Sequence, residues 1–233
     1  MKTQLFFIHF AGGNRYSFRF ISPFLKDFEI FPVELPGRGE RMGEELLTDF
    51  NLAVKDIYEQ IVKQIRSPDF IIFGHSMGAD LALDVTKMLE QSGLNPRCIF
   101  VSGNPGPGVK TIQKRSSLND DDFVEELKRL GGMQKEVLEN KEVLDFFLPV
   151  IRADFEIVEK SDIHSRAASK LNTAIFALMG DQEEYADQIT NWNNFTTSDF
   201  SYKLLSGGHF FLYEHGQAIG NLILMRTNHL HLR

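Results

Sequence analysis

The chain has 233 residues, of which 42% are hydrophobic and 24% are charged, a balance typical of a single globular domain. Its net charge of −7 and its lack of any Lys/Arg-rich run argue against a nucleic-acid-binding protein. The single cysteine, Cys98, excludes an internal disulfide, and its apolar neighbours predict a buried core thiol. We expect one domain over residues 1–233, and a monomer.

The first residues contain one lysine followed by a short apolar run. This run is too short for a membrane span, and no small-residue cleavage site follows it. It predicts a first β-strand, and we expect a cytoplasmic protein that does not bind membranes.

Short apolar runs then alternate with helical patterns, which is typical of βαβ units on a mainly parallel sheet with helices on both faces. The predicted strands are 4–9, 28–34, 70–74, 97–102, 174–179 and 201–205. The predicted helices between them are 16–25, 52–66, 77–92, 184–194 and 215–225.

One interval, residues 105–170, contains no good core strand. Its charged, helical patterning predicts helices at 120–130, 134–139 and 142–160. Because so long a stretch is unlike an ordinary loop, we interpret it as a helical insertion that forms a lid over the carboxyl edge of the sheet.

The sharpest motif is Gly74-His-Ser-Met-Gly78, preceded by an apolar strand and followed by an Ala/Leu-rich helical pattern. Strand, Gly-x-Ser-x-Gly and helix together predict a nucleophile elbow, a tight turn that exposes a serine hydroxyl at the sheet edge. We therefore predict an α/β-hydrolase fold with Ser76 as the nucleophile.

A serine nucleophile needs a histidine base, which in this fold follows it in the chain. His209 lies in a Gly-Gly loop directly after the last predicted strand, so we predict that it is the base. The other histidines after Ser76 fit less well, since they fall in the insertion, a helix or the C-terminal tail. These are His164, His215, His229 and His231.

The acid that orients the histidine should lie between Ser76 and His209. Asp181 ends the strand Ala174-Ile-Phe-Ala-Leu-Met-Gly180 and is the predicted acid. Glu183 and Glu184 are neighbours that could substitute for it, although their position past the turn fits less well.

The oxyanion hole should combine the N–H of Met77 with one from the loop after the first strand. That loop contains Gly12-Gly13, which permits close backbone approach. We predict Ala11 as the second donor, with Phe10 as the alternative.

Six motifs follow one another along the chain: Phe10-Ala-Gly-Gly13, Leu35-Pro-Gly-Arg-Gly-Glu-Arg41, Gly74-His-Ser-Met-Gly78, Leu148-Pro-Val-Ile-Arg-Ala-Asp-Phe155, Gly180-Asp181 and Gly207-Gly-His-Phe-Phe-Leu212. In this order they make the chain resemble the type II, or editing, thioesterases that accompany non-ribosomal peptide and polyketide synthases. One motif departs from that family, which has Pro-His-Ala-Gly-Gly where this chain has His9-Phe-Ala-Gly-Gly13.

The resemblance implies hydrolysis of acyl thioesters held on the phosphopantetheine arm of acyl- or peptidyl-carrier proteins, which would clear misprimed or stalled carriers. We expect no metal and no redox cofactor. The alternatives are a carboxylesterase for small esters and a non-catalytic protein that binds acyl carriers.

Two groups of basic residues have open roles. We expect Arg38 and Arg41 to tie loops together, with contact to the phosphopantetheine phosphate as the alternative. The basic residues of the insertion favour a solvated face, with carrier docking as the alternative. These are Lys110, Lys114, Arg115, Lys128 and Arg129.

Overall fold

The computed structural model describes residues 2–109, 113–131, 137, 140–161 and 169–230, with no side-chain description for 228–230. Within these residues a six-stranded sheet has the order β2-β1-β3-β4-β5-β6, and every neighbouring pair is parallel. The strands are β1 Thr3–Ile8, β2 Phe28–Val33, β3 Phe70–His75, β4 Cys98–Ser102, β5 Ala174–Gly180 and β6 Phe200–Leu205. The predicted α/β-hydrolase sheet is confirmed, with strand ends within one or two residues of the prediction.

Apolar residues form these strands because both faces of the sheet are covered. Successive residues of β1 alternate between two core clusters: Phe6 and Ile8 pack on one face, and Leu5 and Phe7 on the other. Strands β1, β3, β4 and β5 are buried along their whole length, as is typical of parallel sheets between helical layers.

Five α-helices are described, and most begin at a side-chain cap. Asp49, Asn119 and Asn140 accept hydrogen bonds from the backbone at the starts of α1, α3 and α4. The helices are α1 Phe50–Gln64, α2 Met77–Gln91, α3 Asp120–Leu130, α4 Lys141–Glu159 and α5 Gly216–Leu230. None of the described helices is long and apolar enough to cross a bilayer.

Two of the predicted helices are not α-helices. Residues 16–25 form successive turns with i→i+3 hydrogen bonds, ending in the short 3₁₀ helix Ser22–Phe24, where Pro23 lacks the N–H that an α-helix needs. Residues predicted as the helix 184–194 form the 3₁₀ helix Ala186–Phe195, whose inward side chains include Trp192. Apolar spacing alone does not distinguish these tighter windings.

Helices α3 and α4 lie between β4 and β5, where the sequence predicts helices at 120–130 and 142–160. Their facing apolar side chains form a separate small core, which includes Phe123, Leu144 and Ile151. The predicted helix at 134–139 lies outside the described residues except for residue 137. Helix α4 also reaches the loop after β1, because a Cβ at Gly12 would lie 2.9 Å from Cγ1 of Ile151.

Candidate active site

Ser76 occupies a strained turn between β3 and α2. Its φ is 54°, and it is the only non-glycine residue with positive φ in the described part of the chain. The flanking glycines are required by close backbone contacts: a Cβ at Gly74 would overlap the carbonyl of Gly78, and one at Gly78 would overlap that of Ile8. The predicted Gly-x-Ser-x-Gly elbow is therefore present, with Ser76 at the carboxyl end of a central strand.

His209 reaches Ser76 from the loop after β6. Its Nε2 lies 2.9 Å from Ser76 Oγ, a hydrogen bond that suits proton transfer. The approach depends on glycines, because a Cβ at Gly180 would overlap the carbonyls of Gly207 and Gly208. The structure thus brings the predicted base to the predicted nucleophile across 133 residues of sequence.

The carboxylate that contacts His209 is Glu183, and the prediction of Asp181 is wrong on this geometry. Glu183 Oε2 lies 2.7 Å from His209 Nδ1, while its Oε1 accepts a 3.0 Å hydrogen bond from Gly180 N. The Glu183 side chain is only 6% exposed, so water competes little for this carboxylate.

Asp181 has a different role, which explains why it does not reach the imidazole. It directly follows β5, and its Oδ1 accepts a 3.0 Å hydrogen bond from Gly207 N. The chain then turns, with Glu183 N donating to Gly180 O, and this turn directs the longer Glu183 side chain back to His209. Asp181 therefore holds the loop that carries His209.

The two predicted oxyanion donors lie on adjacent elements. Met77 begins α2, and the start of α2 packs against the carbonyls of Ile8 and His9, where the loop after β1 begins. Among the described residues, no acceptor takes a hydrogen bond from the N–H of Met77 or of Ala11. That is the state expected of N–H groups that bind a substrate oxygen.

The loop after β1 is held by hydrogen bonds on both sides of Ala11. Phe10 O accepts from Gly13 N at 2.8 Å and from His9 Nδ1 at 2.9 Å. The His9 Nε2 in turn accepts from Leu35 N, so the ring is neutral. Burial, aided by the Arg38 charge, lowers the pKa of His9 to about 4, which keeps it neutral.

A buried ion pair links this loop to the insertion. Arg38 binds Asp154 of α4 through two hydrogen bonds of 2.6 and 2.7 Å, and Asp154 Oδ2 also accepts from Gly12 N at 2.7 Å. Asp154 is fully buried and Arg38 is 5% exposed. In the sequence, Asp154 is only one residue of the Leu148–Phe155 motif, and no pattern there indicates that it contacts Arg38.

Arg41, the other arginine of the Leu35–Arg41 motif, also joins separate segments of the chain. Its guanidinium binds both carboxylate oxygens of Glu44 and both of Asp56, and it also donates to Glu34 O. These bonds agree with the loop-tying role that we expected for both arginines.

Aromatic rings surround the His209 imidazole. The ring centroids of His75 and Phe210 each lie 5.1 Å from that of His209, and Phe10 packs edge-on against Phe210. One side of His209 is therefore covered by the rings of His75 and Phe210.

The other histidines that follow Ser76 in the sequence, and Cys98, do not contact Ser76, His209 or Glu183 in the described part of the chain. His215 contacts Ser206, while the His229 side chain and all of His164 and His231 lie outside the described residues. Cys98 is a buried thiol, as predicted, and burial raises its pKa to about 12. The described residues contain no cluster of three or more metal-binding side chains.

Most of the basic residues proposed for docking are paired. Arg115 and Arg129 both bind Glu126, and Lys128 binds Glu125. Lys110 lies outside the described residues. These pairs favour the solvated-face interpretation for the residues of α3.

The parallel sheet, the elbow at Ser76 and the contacts of His209 with a serine and a carboxylate define the α/β-hydrolase class. Within that class the chain belongs to the thioesterase family, because the family model for the thioesterase domain matches residues 3–226.

Known proteins of this family are similar over most of the chain. The gramicidin S biosynthesis protein GrsT of Aneurinibacillus migulanus is 33% identical over 91% of this chain and 84% of its own length. A probable cadicidin biosynthesis thioesterase of Streptomyces griseus is 31% identical over 91% of this chain, which spans 59% of that protein.

A solved structure extends the similarity to the fold. The type II thioesterase BorB from the borrelidin biosynthetic cluster superposes with a TM-score of 0.88 at 29% identity. The match covers 97% of this chain and 93% of BorB.

Proposed function

We propose that this protein is a type II thioesterase that hydrolyses acyl groups from the phosphopantetheine arm of acyl- or peptidyl-carrier proteins. Membership of the thioesterase family supports the reaction class. The similarity to BorB, and to proteins of gramicidin S and cadicidin biosynthesis, supports a role beside peptide or polyketide synthases.

The observation that carries the proposal is the continuous contact from Ser76 through His209 to Glu183. Glu183 accepts the Nδ1–H of His209, so the neutral ring presents an unprotonated Nε2 to the Ser76 hydroxyl. This arrangement prepares the imidazole to remove the hydroxyl proton.

In the first half-reaction, Ser76 Oγ attacks the thioester carbonyl while His209 Nε2 takes its proton. The carbonyl oxygen becomes an oxyanion, which the N–H groups of Met77 and Ala11 stabilise. The C–S bond then breaks, and the imidazolium returns the proton to the leaving thiolate. The products of this half-reaction are an acyl ester on Ser76 and a free phosphopantetheine thiol.

In the second half-reaction, His209 removes a proton from water, which attacks the ester of Ser76. Collapse of that intermediate releases the carboxylic acid and returns the proton to Ser76 Oγ. Glu183 stabilises the imidazolium that forms in each half-reaction, so its charge is needed twice per turnover.

The direct test incubates the wild type and Ser76→Ala with acetyl- and longer acyl-phosphopantetheinyl carrier protein and follows loss of the acyl group by intact mass. Loss with the wild type alone supports the proposal, and the acyl series measures the chain-length preference. Retention of the acyl group with both proteins contradicts it.

Two controls identify the alternatives. An oxygen ester of the same acyl group is compared with the carrier thioester, since a carboxylesterase would turn over only the ester. A fluorophosphonate probe tests the nucleophile, because a non-catalytic binding protein would leave Ser76 unlabelled.

A further inference from the structure

One carboxylate oxygen of the insertion holds the backbone of the oxyanion loop. Asp154 Oδ2 accepts hydrogen bonds from Gly12 N at 2.7 Å and from Arg38 Nη1 at 2.6 Å, in a site where Asp154 is fully buried. A bond from an N–H to a buried charged acceptor is stronger than an ordinary backbone bond. Gly12 N is therefore firmly placed.

The placement of Gly12 N determines that of the adjacent peptide. Only the φ and ψ angles of Ala11 separate its N–H from Gly12 N, and Phe10 O is held from the other side by Gly13 N and the His9 ring. A shift of Gly12 must then rotate Ala11, whose N–H is the second oxyanion donor in the proposed function.

We propose that Asp154, oriented by Arg38, is a positioning residue that fixes the oxyanion hole from the insertion. The inference rests on the proposed function, in which Ala11 N binds the developing oxyanion. Arg38 supplies the orientation, because its guanidinium binds both oxygens of Asp154 and also donates to Gly13 O. The position of α4 and the competence of the oxyanion hole are thereby coupled.

The coupling between Asp154 and the oxyanion hole predicts a measurable loss of kcat. Loss of one oxyanion donor costs about 10²–10³-fold in kcat, and a misplacement of about 1 Å costs about 10²-fold. We expect about 10- to 100-fold loss of kcat when Gly12 N loses its acceptor, with KM nearly unchanged, because the oxyanion exists only in the transition state.

The experiment compares two variants that differ only at residue 154. Arg38→Met/Asp154→Leu removes both charges, which spares the protein an unpaired buried ion, and leaves Gly12 N without its acceptor. Arg38→Met/Asp154→Asn has nearly the same shape but retains an amide oxygen for Gly12 N. We expect the leucine variant to lose kcat for a p-nitrophenyl ester and the asparagine variant to recover at least tenfold.

A second readout separates positioning from loss of structure. A trifluoromethyl ketone forms a hemiketal with the serine, so its affinity reports on the oxyanion hole, and we expect it to fall in parallel with kcat. All rates are expressed per site labelled at completion by a fluorophosphonate, which removes any misfolded fraction from the comparison. Arg41→Met/Asp56→Leu, which deletes the neighbouring ion pair, is expected to keep kcat within about threefold.

The proposal is overturned if the leucine variant keeps wild-type kcat per labelled site, or if the asparagine variant loses as much as the leucine variant. Should the leucine variant not fold, Arg38→Met/Asp154→Asn decides, since it keeps an acceptor for Gly12 N without an unpaired buried charge and its kcat must stay within about tenfold of wild type. Ester and phosphonate readouts need only the serine chemistry, so they stay informative even if carrier thioesters are not the substrate.

Discussion

Two carboxylates in the loop after β5, Asp181 and Glu183, make different contacts with the loop that carries His209. Asp181 holds the backbone of the His209 loop through Gly207 N, and Glu183 contacts the imidazole itself. The sequence identifies the loop, because both residues follow a buried strand at the correct edge. It does not identify which of the two contacts the imidazole, since that depends on the turn between them and on one extra methylene in the Glu183 side chain.

Glu183→Gln should lower kcat by about 10³-fold or more, because an amide supports the wrong imidazole tautomer and cannot stabilise the imidazolium. Asp181→Asn keeps an acceptor for Gly207 N and should stay within about threefold of wild type. Turnover of a p-nitrophenyl ester per labelled site measures both. The reverse ranking of the two variants would restore Asp181 as the acid.

His9 should make the folded state sensitive to acid. Its pKa is lowered to about 4 by burial, whereas in the unfolded chain it binds a proton near pH 6.5. The unfolded state therefore binds more protons between these values, so stability is full above pH 6.5 and falls as the pH drops towards 4.

The check is urea unfolding of the wild type and His9→Gln at pH 7.5 and pH 4.5. Glutamine offers a donor for Phe10 O and an acceptor for Leu35 N without a titrating group. The wild type should lose about 2 kcal/mol more than the variant on acidification. Equal losses in the two proteins would show that His9 does not titrate differently on unfolding.

At the scale of single elements, the strands were the most predictable. Four of them, β1, β3, β4 and β5, are short apolar runs buried between two helical layers, so composition and burial agree. The stretch 16–25 is also apolar, but it forms i→i+3 turns that end in the 3₁₀ helix Ser22–Phe24. The spacing of its apolar residues does not distinguish these turns from an α-helix.

The junction of β3 and α2 should tolerate no side chain at Gly78. A Cβ there would overlap the carbonyls of Ile8 and His9, which would push α2 and the Met77 N–H away from the loop after β1. Gly78→Ala should reduce kcat at least 100-fold and lower the melting temperature.

Gly43→Ala is the matched control, since nothing lies within 4 Å of a Cβ at that position. It should retain wild-type kcat and melting temperature. Wild-type kcat in Gly78→Ala would contradict the close packing of the elbow on the loop after β1.

At the scale of the whole molecule, the sequence predicts which elements meet at the sheet edge but not every pair that closes the site. The chain order of strands and loops placed Ser76 and His209 together correctly. The ion pair between Arg38 and Asp154 joins residues 116 positions apart, and no periodic sequence pattern predicts a contact between them. It emerges only when α4 packs over the edge of the sheet.

The net charge of −7 should oppose the approach of a carrier protein that is also negatively charged. Raising the ionic strength from about 0.01 M to 0.1 M shortens the Debye length from about 30 to 10 Å. The KM for such an acyl carrier should therefore fall, by about two- to fivefold, while the KM for an uncharged p-nitrophenyl ester stays constant. A rise in the carrier KM with salt would indicate that a local basic surface dominates docking.

The pairing of β5 with β6 has a consequence for when the protein is able to react. The proposed nucleophile, Ser76, follows an interior strand of the sheet, whereas the proposed base, His209, follows β6, an edge strand whose middle residues are exposed. If β6 detached while the other five strands and the elbow stayed folded, we would expect Ser76 to be an ordinary alcohol with no base beside it. On the proposed mechanism, turnover would then depend on the docking of β6, and we expect a nascent chain to become reactive only after β6 has paired with β5.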